Sequence, residues 1–308
     1  MFLTSLRDRA GENRYANTRD DKGHTSSMWL RQGGAHARFR DSTDQTRTQG
    51  NSYVMQLGGD VAQFSRHGRD RFHLGVMAGY GNSRSNSRSQ VSGHRAKGSV
   101  DGYNIGVYGT WYQNDIEGTG AYADGQVLYN WFNNQVSGDD IPKESYRSEG
   151  VLASAEAGYT LVAGASRAAG HTTRYLLEPY AGITWMGVSN GDHKESNGTR
   201  VQVQGRGNVQ SALGLRAYIQ NIPDSNTISK RWFRPFAEIS WLHNTKRNDV
   251  TMNGVRLEQA GAQDVAEIKL GLHAQFNPQA ALWGSIGHRM GERGYGKTIA
   301  AVGVSYRF

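Results

Sequence analysis

The chain has 308 residues and a formal charge of +8, with 35 lysines and arginines against 27 aspartates and glutamates. Cysteine is absent, which excludes disulfides, thiol nucleophiles and cysteine-ligated zinc. A low mean hydropathy of −0.66 accompanies 40 glycines and 10% aromatic residues, a combination that indicates β architecture rather than disorder. No apolar run approaches the ~18 residues of a membrane-spanning helix, which excludes helical membrane proteins only.

The first 26 residues are predicted to form a separate unit, a short helix followed by a linker. Leu3, Leu6 and Ala10 recur at helical spacing, and Gly11 is a natural stop signal. Charge begins at Arg7, so the segment has no secretory h-region. If the protein is exported, we therefore expect this chain to be the C-terminal part of a longer one.

Period-two alternation recurs through residues 27–308, the second predicted unit. In the segment RFHLGVMAGYG, one face carries Phe72, Leu74, Val76, Ala78 and Tyr80. About twelve such segments occur, and charged residues are confined to one face of each. Each segment is expected to be near the ~9–11 residues with which a tilted strand spans a bilayer. The pattern predicts an all-β fold, an antiparallel twelve-stranded transmembrane barrel. The alternative is a soluble barrel or sandwich, whose strands are usually shorter, at ~5–6 residues.

Aromatic residues and loop lengths fit the membrane barrel. Aromatics fall near the ends of the apolar faces, where an interfacial girdle belongs: Tyr53, Tyr80, Trp111, Trp131, Tyr159, Tyr175, Trp185, Trp241, Phe276 and Phe308. Long polar connections are predicted at 40–49, 83–99, 134–147, 189–207 and 244–262. Short turns are predicted at 65–70, 113–118 and 277–279, with intermediate connections at 163–173 and 220–231. Long loops at one end and short turns at the other are typical of outer-membrane barrels.

Four segments in order carry a family resemblance: MWLRQGGAHARFRD, YVMQLGGDVAQF, HLGVMAGYG and the terminal VGVSYRF. The chain resembles the C-terminal translocator domain of type V autotransporters, in the AIDA-like adhesin branch, over essentially its whole length. The resemblance implies a monomeric barrel in the outer membrane of a Gram-negative bacterium, with long loops extracellular. It also implies a helix in the pore and export of an N-terminal passenger.

A twelve-stranded barrel should just admit one helix of ~10–12 Å diameter, because eight strands fill their interior and 16–18 leave a channel. We therefore expect the arginines of the N-terminal segment to pair with acids on the lumen faces of the strands. The arginines are Arg7, Arg9, Arg14 and Arg19, and the acids are Asp60, Asp124, Glu156, Glu178, Glu238 and Glu267.

The sequence contains no hydrolase, metalloprotease, nucleotide-binding or dinucleotide-binding motif. We expect no cofactor and no metal, and His73 and His273 are interpreted as polar pore lining. One reaction stays open: self-cleavage in the pore, with Asp124, Glu156 or Glu178 as candidates and Asn13 or Asn17 as the cyclising residue. The more ordinary interpretation is that these acids hold the segment. A porin-like channel and an outer-membrane hydrolase are the alternative functions.

Two further features have predicted partners. The last strand ends in Val302, Val304, Tyr306 and Phe308 on one face, which resembles the signal that the barrel-assembly machinery reads. The run at 83–98 holds Arg84, Arg88, Arg95 and Lys97, which we place in an extracellular loop within reach of lipopolysaccharide phosphates. Nucleic acid is not an expected partner, because no aromatic stacking platform accompanies these charges.

Overall fold

The computed structural model describes residues 1–10, 27–139, 141–168, 171–189, 193–194, 200–203, 207–223, 232–246, 249–252, 255–258, 260–277 and 279–308. The first element is the helix α1 (Leu6–Ala10), and residues 1–5 before it are not helical. Leu3, expected in the helix, therefore lies outside it. Within the described ranges, no helix has the length and hydropathy to cross a membrane, and this finding concerns helices alone.

Within those described ranges, sixteen strands follow α1. In chain order they are β1 (Ser27–Arg40), β2 (Thr46–Phe64), β3 (Arg71–Ser89), β4 (Arg95–Asn114), β5 (Thr119–Gly138), β6 (Ile141–Ala168), β7 (His171–Met186), β8 (His193–Lys194), β9 (Arg200–Val203), β10 (Asn208–Pro223), β11 (Trp232–Asn244), β12 (Asp249–Met252), β13 (Val255–Glu258), β14 (Asp264–Gln275), β15 (Ala280–Gly291) and β16 (Gly296–Arg307).

Twelve of these strands form a closed antiparallel barrel, in the order β1-β16-β15-β14-β11-β10-β7-β6-β5-β4-β3-β2. β1 and β16 close it, in a register that runs from Ser27 opposite Arg307 to Arg38 opposite Gly296. Closure leaves no free strand edge in the barrel. The predicted fold, an all-β antiparallel barrel of twelve strands, is confirmed.

The barrel has two different ends. We call the end that holds Ser27, Arg307 and the turn at 65–70 the short-turn end. The opposite end, which holds the connections at 187–207 and 245–263, is the long-connection end. Those two connections supply β8, β9, β12 and β13, which pair as a separate four-stranded sheet in the order β13-β12-β9-β8. Sequence analysis did not predict this sheet, because its strands are only two to four residues long.

The predicted strand length of ~9–11 residues is wrong. The barrel strands have 12 to 28 residues, and the longest are β2 to β6. Most of the loops expected at 40–49, 83–99 and 134–147 is paired strand, so that the connection between β3 and β4 comprises only residues 90–94. These stretches carry Ser, Asn, Gly and Arg on both faces; a hairpin that rises above a membrane needs no apolar face, so alternation does not mark it.

The two faces of the wall differ as alternation requires. The outer face exposes apolar side chains such as Leu57, Ile105 and Ile183, while Gln56, Asn104 and Thr184 next to them are buried inside. Eight of the ten predicted girdle aromatics are exposed on the outer face, and Tyr80 and Trp111 are half-buried.

Lumen-facing glycines stand directly opposite large aromatic side chains on the next strand. Gly58 pairs with Trp29, and Gly303 pairs with Trp283. A Cβ atom at either glycine would collide with the indole ring, so the missing side chain lets each ring lie flat against the wall. The abundance of glycine thus serves the packing of the lumen.

Candidate functional site

The N-terminal segment, residues 1–10, lies inside the barrel with its first residue toward the long-connection end. Met1 lines a cavity together with Tyr295 and Lys297, at the start of β16. Arg9 reaches Asp124, which is only a few residues from the start of β5 at the short-turn end. The chain therefore runs down the lumen from one end to the other.

Two arginines of the segment make bidentate ion pairs with the wall. Arg7 donates to both carboxylate oxygens of Glu178, at 2.6 Å from Nη2 and 3.3 Å from Nε. Arg9 donates from Nη2 and Nη1 to the two oxygens of Asp124, at 2.6 and 3.1 Å. All four side chains are almost completely buried. In a poorly screened lumen such paired forks fix position and orientation together.

Asp8, between those arginines, binds the wall with the opposite charge. Its Oδ2 accepts a hydrogen bond from Lys269 Nζ at 3.0 Å. Its backbone carbonyl accepts one from the Trp283 indole at 3.3 Å. Upstream, the Thr4 carbonyl accepts from the side-chain amide of Gln126 at 2.6 Å. The segment is thus held through its backbone as well as its charges.

The start of the segment is anchored by an apolar side chain. Phe2 is 2% exposed and stacks on Phe132, with ring centroids 5.8 Å apart. The cluster around it comes from the lumen faces of seven barrel strands and comprises Trp29, Val54, Met77, Tyr108, Leu128, Leu152 and Trp283. A lumen lined this way holds the segment by packing at its start and by ion pairs further on.

Arg216 of β10 is the centre of the charge network around the helix. Its Nε donates to Glu238 at 2.6 Å, and its Nη1 donates to both Glu178 and Glu156 at 3.2 Å. The guanidinium lies over the Tyr180 ring, 3.9 Å from the centroid. Because Glu178 also binds Arg7, the network joins the wall and the segment.

The remaining predicted acids contact barrel side chains. Glu267 pairs with Arg289 at 2.9 Å, and Lys269 lies 3.6 Å from Glu238 and 3.9 Å from Glu267. In the described part of the chain, Glu156, Glu238 and Glu267 therefore have no ion pair with the segment's arginines. Asp60 binds His73 at 2.9 Å.

Some predicted site residues lie elsewhere. Arg14, Arg19, Asn13 and Asn17 are outside the described residues. His273 faces the lumen, as alternation predicted. Sequence reasoning missed three important groups: Phe2, Asp8 and the Arg216 hub. Arg216 and Lys269 do lie on the polar faces that alternation assigns, but which acids they meet depends on register between strands that are distant in the chain.

A cavity of about 340 Å³ occupies the lumen at the long-connection end, beyond Met1. Its lining includes four cationic residues, Arg31, Lys246, Arg289 and Lys297, and none of the described residues that line it is an aspartate or glutamate. Arg31 is 6% exposed, and its Nε has no hydrogen-bond partner. This end of the lumen is open and basic.

The three candidate self-cleavage acids are already occupied by hydrogen-bond donors. Asp124 accepts from Arg9 and Thr110, Glu178 from Arg7, Arg216 and Thr160, and Glu156 from Tyr122 and Arg216. Within the described ranges, no three histidine, aspartate or glutamate side chains are arranged to hold a metal ion. The geometry is that of a holding site.

A closed twelve-stranded β-barrel that holds its own N-terminal segment in the lumen defines a class of plugged membrane barrels. A family model, the autotransporter β-domain, matches residues 28–287. The chain belongs to this family and is an autotransporter translocator domain. Its relatives in the family are outer-membrane barrels.

Several individual proteins are similar. YdeU of Escherichia coli K12, an uncharacterized protein, is 44% identical over 99% of this chain, and the autotransporter adhesin AIDA-I of E. coli is 34% identical over 100% of it. The chain spans 66% of the length of YdeU and 24% of AIDA-I. The crystal structure of the AIDA-I transport unit from E. coli superposes with a TM-score of 0.87 at 33% identity, covering 100% of this chain and 94% of that one.

Proposed function

We propose that this domain supports export of an adhesin-type passenger, attached at its N-terminus, and anchors that passenger at the cell surface. The observation that carries the proposal is the direction of the N-terminal segment. Met1 lies at the long-connection end, while the barrel's own first and last strand residues pair at the short-turn end. A polypeptide joined to Met1 therefore leaves the barrel at the end opposite its strand termini.

The long-connection end is the extracellular one in this proposal. Long loops outside and short turns inside are the habit of outer-membrane barrels. The ion pairs of Arg7 and Arg9 then act as a stop that keeps the exported chain attached and the pore filled. A porin-like channel would need an open lumen, which these contacts close at the short-turn half, and we propose no turnover of an external substrate.

The test is an epitope tag fused to residue 1 behind a signal peptide, probed on intact cells. We expect the tag to be accessible to antibody and to added protease. The matched control carries the same tag in the turn 65–70 after Gly68, where the backbone has φ 75° and open space. That tag should be detected only after the cells are opened. A residue 1 tag confined to the periplasm, on an assembled barrel, overturns the proposal and favours the channel or hydrolase function.

The barrel-assembly machinery is the proposed partner of the terminal strand. Val302, Val304 and Tyr306 lie on the outer face of β16, and Phe308 beyond it is 68% exposed. Such a row is available for recognition before the barrel closes against β1. Deleting Phe308 should lower the yield of heat-modifiable barrel, whereas Phe233→Ala, which removes an exposed outer-face aromatic from β11, should not. Unchanged yield without Phe308 would contradict this partner.

A further inference from the structure

Four arginines lie in one row across four neighbouring strands at the long-connection end. The register places Arg40 of β1 opposite Arg47 of β2, Arg47 opposite Arg88 of β3, and Arg88 opposite Arg95 of β4. We call these four residues the arginine row. Directly opposed residues in a sheet have Cβ atoms about 4.5–5.5 Å apart on the same face. Sequence analysis placed these four residues in two predicted loops, 40–49 and 83–99, and only the strand pairing reveals the row.

The row faces outward, on the same side of the wall as the membrane-facing residues. In β3, Leu74 and Val76 are exposed on the outer face, and the same alternation continues without a bulge to Arg84 and Arg88. Arg84 and Lys97 add charge beside the row, since Arg84 stands opposite Ser99 and Lys97 opposite Asn86.

Five of these six cations have no side-chain partner among the residues that the structure describes. Arg40 pairs with Asp44 at 3.0 Å. The other cations of the patch have no side-chain hydrogen bond or ion pair to the residues that the structure describes, and these are Arg47, Arg84, Arg88, Arg95 and Lys97. Like charges directly opposite each other destabilise a sheet. The fold itself gains nothing from this arrangement, and an anion outside the chain would relieve the repulsion.

The height of the row above the membrane points to the source of that anion. Tyr80, Tyr103 and Trp131 stand opposite one another on the same outer face and mark the membrane interface. At ~3.3 Å per residue and a strand tilt of ~35–45°, Arg84 is roughly 10 Å and Arg88 roughly 20 Å above that level. Lipopolysaccharide carries phosphate both on its lipid headgroup and on the adjoining sugars, so its anionic layer covers this height range.

We propose that the arginine row, with Arg84 and Lys97, is a binding site for the phosphate groups of lipopolysaccharide in the outer leaflet. Guanidinium forks match phosphate oxygens bidentately. The site rests on the proposed function, which makes the long-connection end extracellular. A lipid is favoured over a soluble polyanion because the row faces sideways, over the surrounding membrane. On the far side of the barrel, the outer faces of β14 and β15 end in Asp264 and Met290, so the arginine row does not extend onto those two strands.

The test compares Arg47→Gln/Arg88→Gln with Arg66→Gln/Arg69→Gln, a control pair that removes the same charge from the turn 65–70 at the other end. Each full-length chain, purified in a nonionic detergent, is titrated with lipopolysaccharide. We expect the row variant to bind about 30-fold more weakly, since it removes two cations and each cation near an anionic lipid surface contributes about fivefold in affinity. The control pair should bind as the original chain does. Arg47→Lys/Arg88→Lys should be intermediate, because charge remains and the fork is lost.

A second measurement separates binding from folding. Without lipopolysaccharide, the row variant should melt at the same temperature as the original chain or higher, because repulsion between the arginines is relieved. Added lipopolysaccharide should raise the melting temperature of the original chain more than that of the row variant. Equal affinity of all variants overturns the proposal, as does equal affinity for dephosphorylated lipopolysaccharide. Row-dependent binding that is tighter for heparin than for lipopolysaccharide in phosphatidylethanolamine vesicles overturns the lipid source. The surface tag at residue 1 tests passenger export independently, so either idea can fail alone.

Discussion

The two ends of the lumen differ in how their charged side chains are paired. Near the short-turn end, the segment's Arg7, Asp8 and Arg9 each meet an opposite charge on the wall at 3.0 Å or less. Near the long-connection end, the cavity beyond Met1 is lined by cations and by no described carboxylate, and Lys297 has no ion pair to the described residues. One end is filled by a segment whose charges are all paired, and the other is an open cavity with an excess of cations in its lining.

The difference shows how one barrel can both hold and release a chain. A buried charge without a partner is costly, so a segment whose charges are all matched has one preferred register in the lumen. An open cavity that makes no ion pair with the segment imposes no such register on a polypeptide that lies in it. The ion pairs that hold the segment are therefore at the end where the segment joins the barrel, and the cavity without such ion pairs is where the chain would leave.

We call the short-turn half of the lumen, where the segment's charges are paired, the matched end. The largest effect should come from Arg216→Met, which removes the central cation of the charge network there. Glu156, Glu178 and Glu238 would lose their shared cation inside the lumen. Breaking a buried ion network by removing one partner costs about 3–5 kcal/mol. We expect that loss in the free energy of unfolding, measured by urea titration in lipid vesicles.

The matched control for Arg216→Met also neutralises one of the carboxylates that this change leaves without a cation. Arg216→Met/Glu238→Gln should recover part of the loss, because one stranded carboxylate becomes neutral. Arg84→Gln, an exposed arginine on the outer face, should leave the unfolding midpoint unchanged. A loss below about 1 kcal/mol for Arg216→Met would show that the network is not essential to the matched end.

The second prediction compares the two ends directly. Arg9→Gln breaks a buried fork to Asp124, and such truncations cost about 2–5 kcal/mol. Lys297→Gln loses no ion pair, so it should change docking of the segment by less than about 0.5 kcal/mol. Single-channel conductance in planar bilayers gives the readout: Arg9→Gln should open the pore frequently, and Lys297→Gln rarely.

Two variants sharpen that comparison. Arg7→Glu/Arg9→Glu reverses both forks and should give the most open pore and protease-sensitive segment. Arg9→Gln/Asp124→Asn closes a double-mutant cycle, which isolates the pairwise energy. Additive effects in the cycle, or equal opening by Lys297→Gln and Arg9→Gln, would contradict the distinction between the ends.

Sequence reasoning succeeded where a single strand carries the information. Alternation alone assigned Glu178, Glu238 and His73 to the lumen and Leu74 and Val76 to the lipid side, because facing depends only on period two. Sequence reasoning failed where a feature depends on which residues of different strands lie opposite each other. Neither the Arg216 hub nor the arginine row can be seen without register, since Arg216 meets Glu156 across 60 residues of chain.

Strand ends were the other failure, and the reason is physical. The turn at 65–70 was predicted with its correct limits because apolar faces stop on both sides of it. The hairpins at 83–99 and 134–147 were predicted as loops because the stretch around Arg84 and Ser85 is polar on both faces. Outside the membrane, hydrogen bonding between strands suffices, and hydrophobicity no longer reports it.

The smallest predicted effect concerns a charged residue outside the lumen, in the water-exposed turn 65–70 at the short-turn end. Asp70 Oδ1 accepts hydrogen bonds from the backbone amides of His67 and Arg66 at 2.8 and 2.9 Å, and from Ser65 Oγ at 2.9 Å. The His67 amide is the chief cause that lowers the pKa of Asp70 to about 2. Since the folded pKa lies below the ordinary value near 4, this carboxylate stabilises the turn above about pH 4.

That contribution should be lost as the pH falls from about 4 through 2, when Asp70 is protonated in the folded turn. The amide resonances of Arg66 and His67 in detergent micelles should shift with a midpoint near 2, and Asp70→Asn should abolish the shift. Pore closure at neutral pH should not change in Asp70→Asn, because the forks of Arg7 and Arg9 lie within the lumen and do not include this turn. Coincident loss of the turn and of the lumen contacts would show that the matched end depends on solvent-exposed charge, and the contrast between the two ends of the lumen would no longer hold.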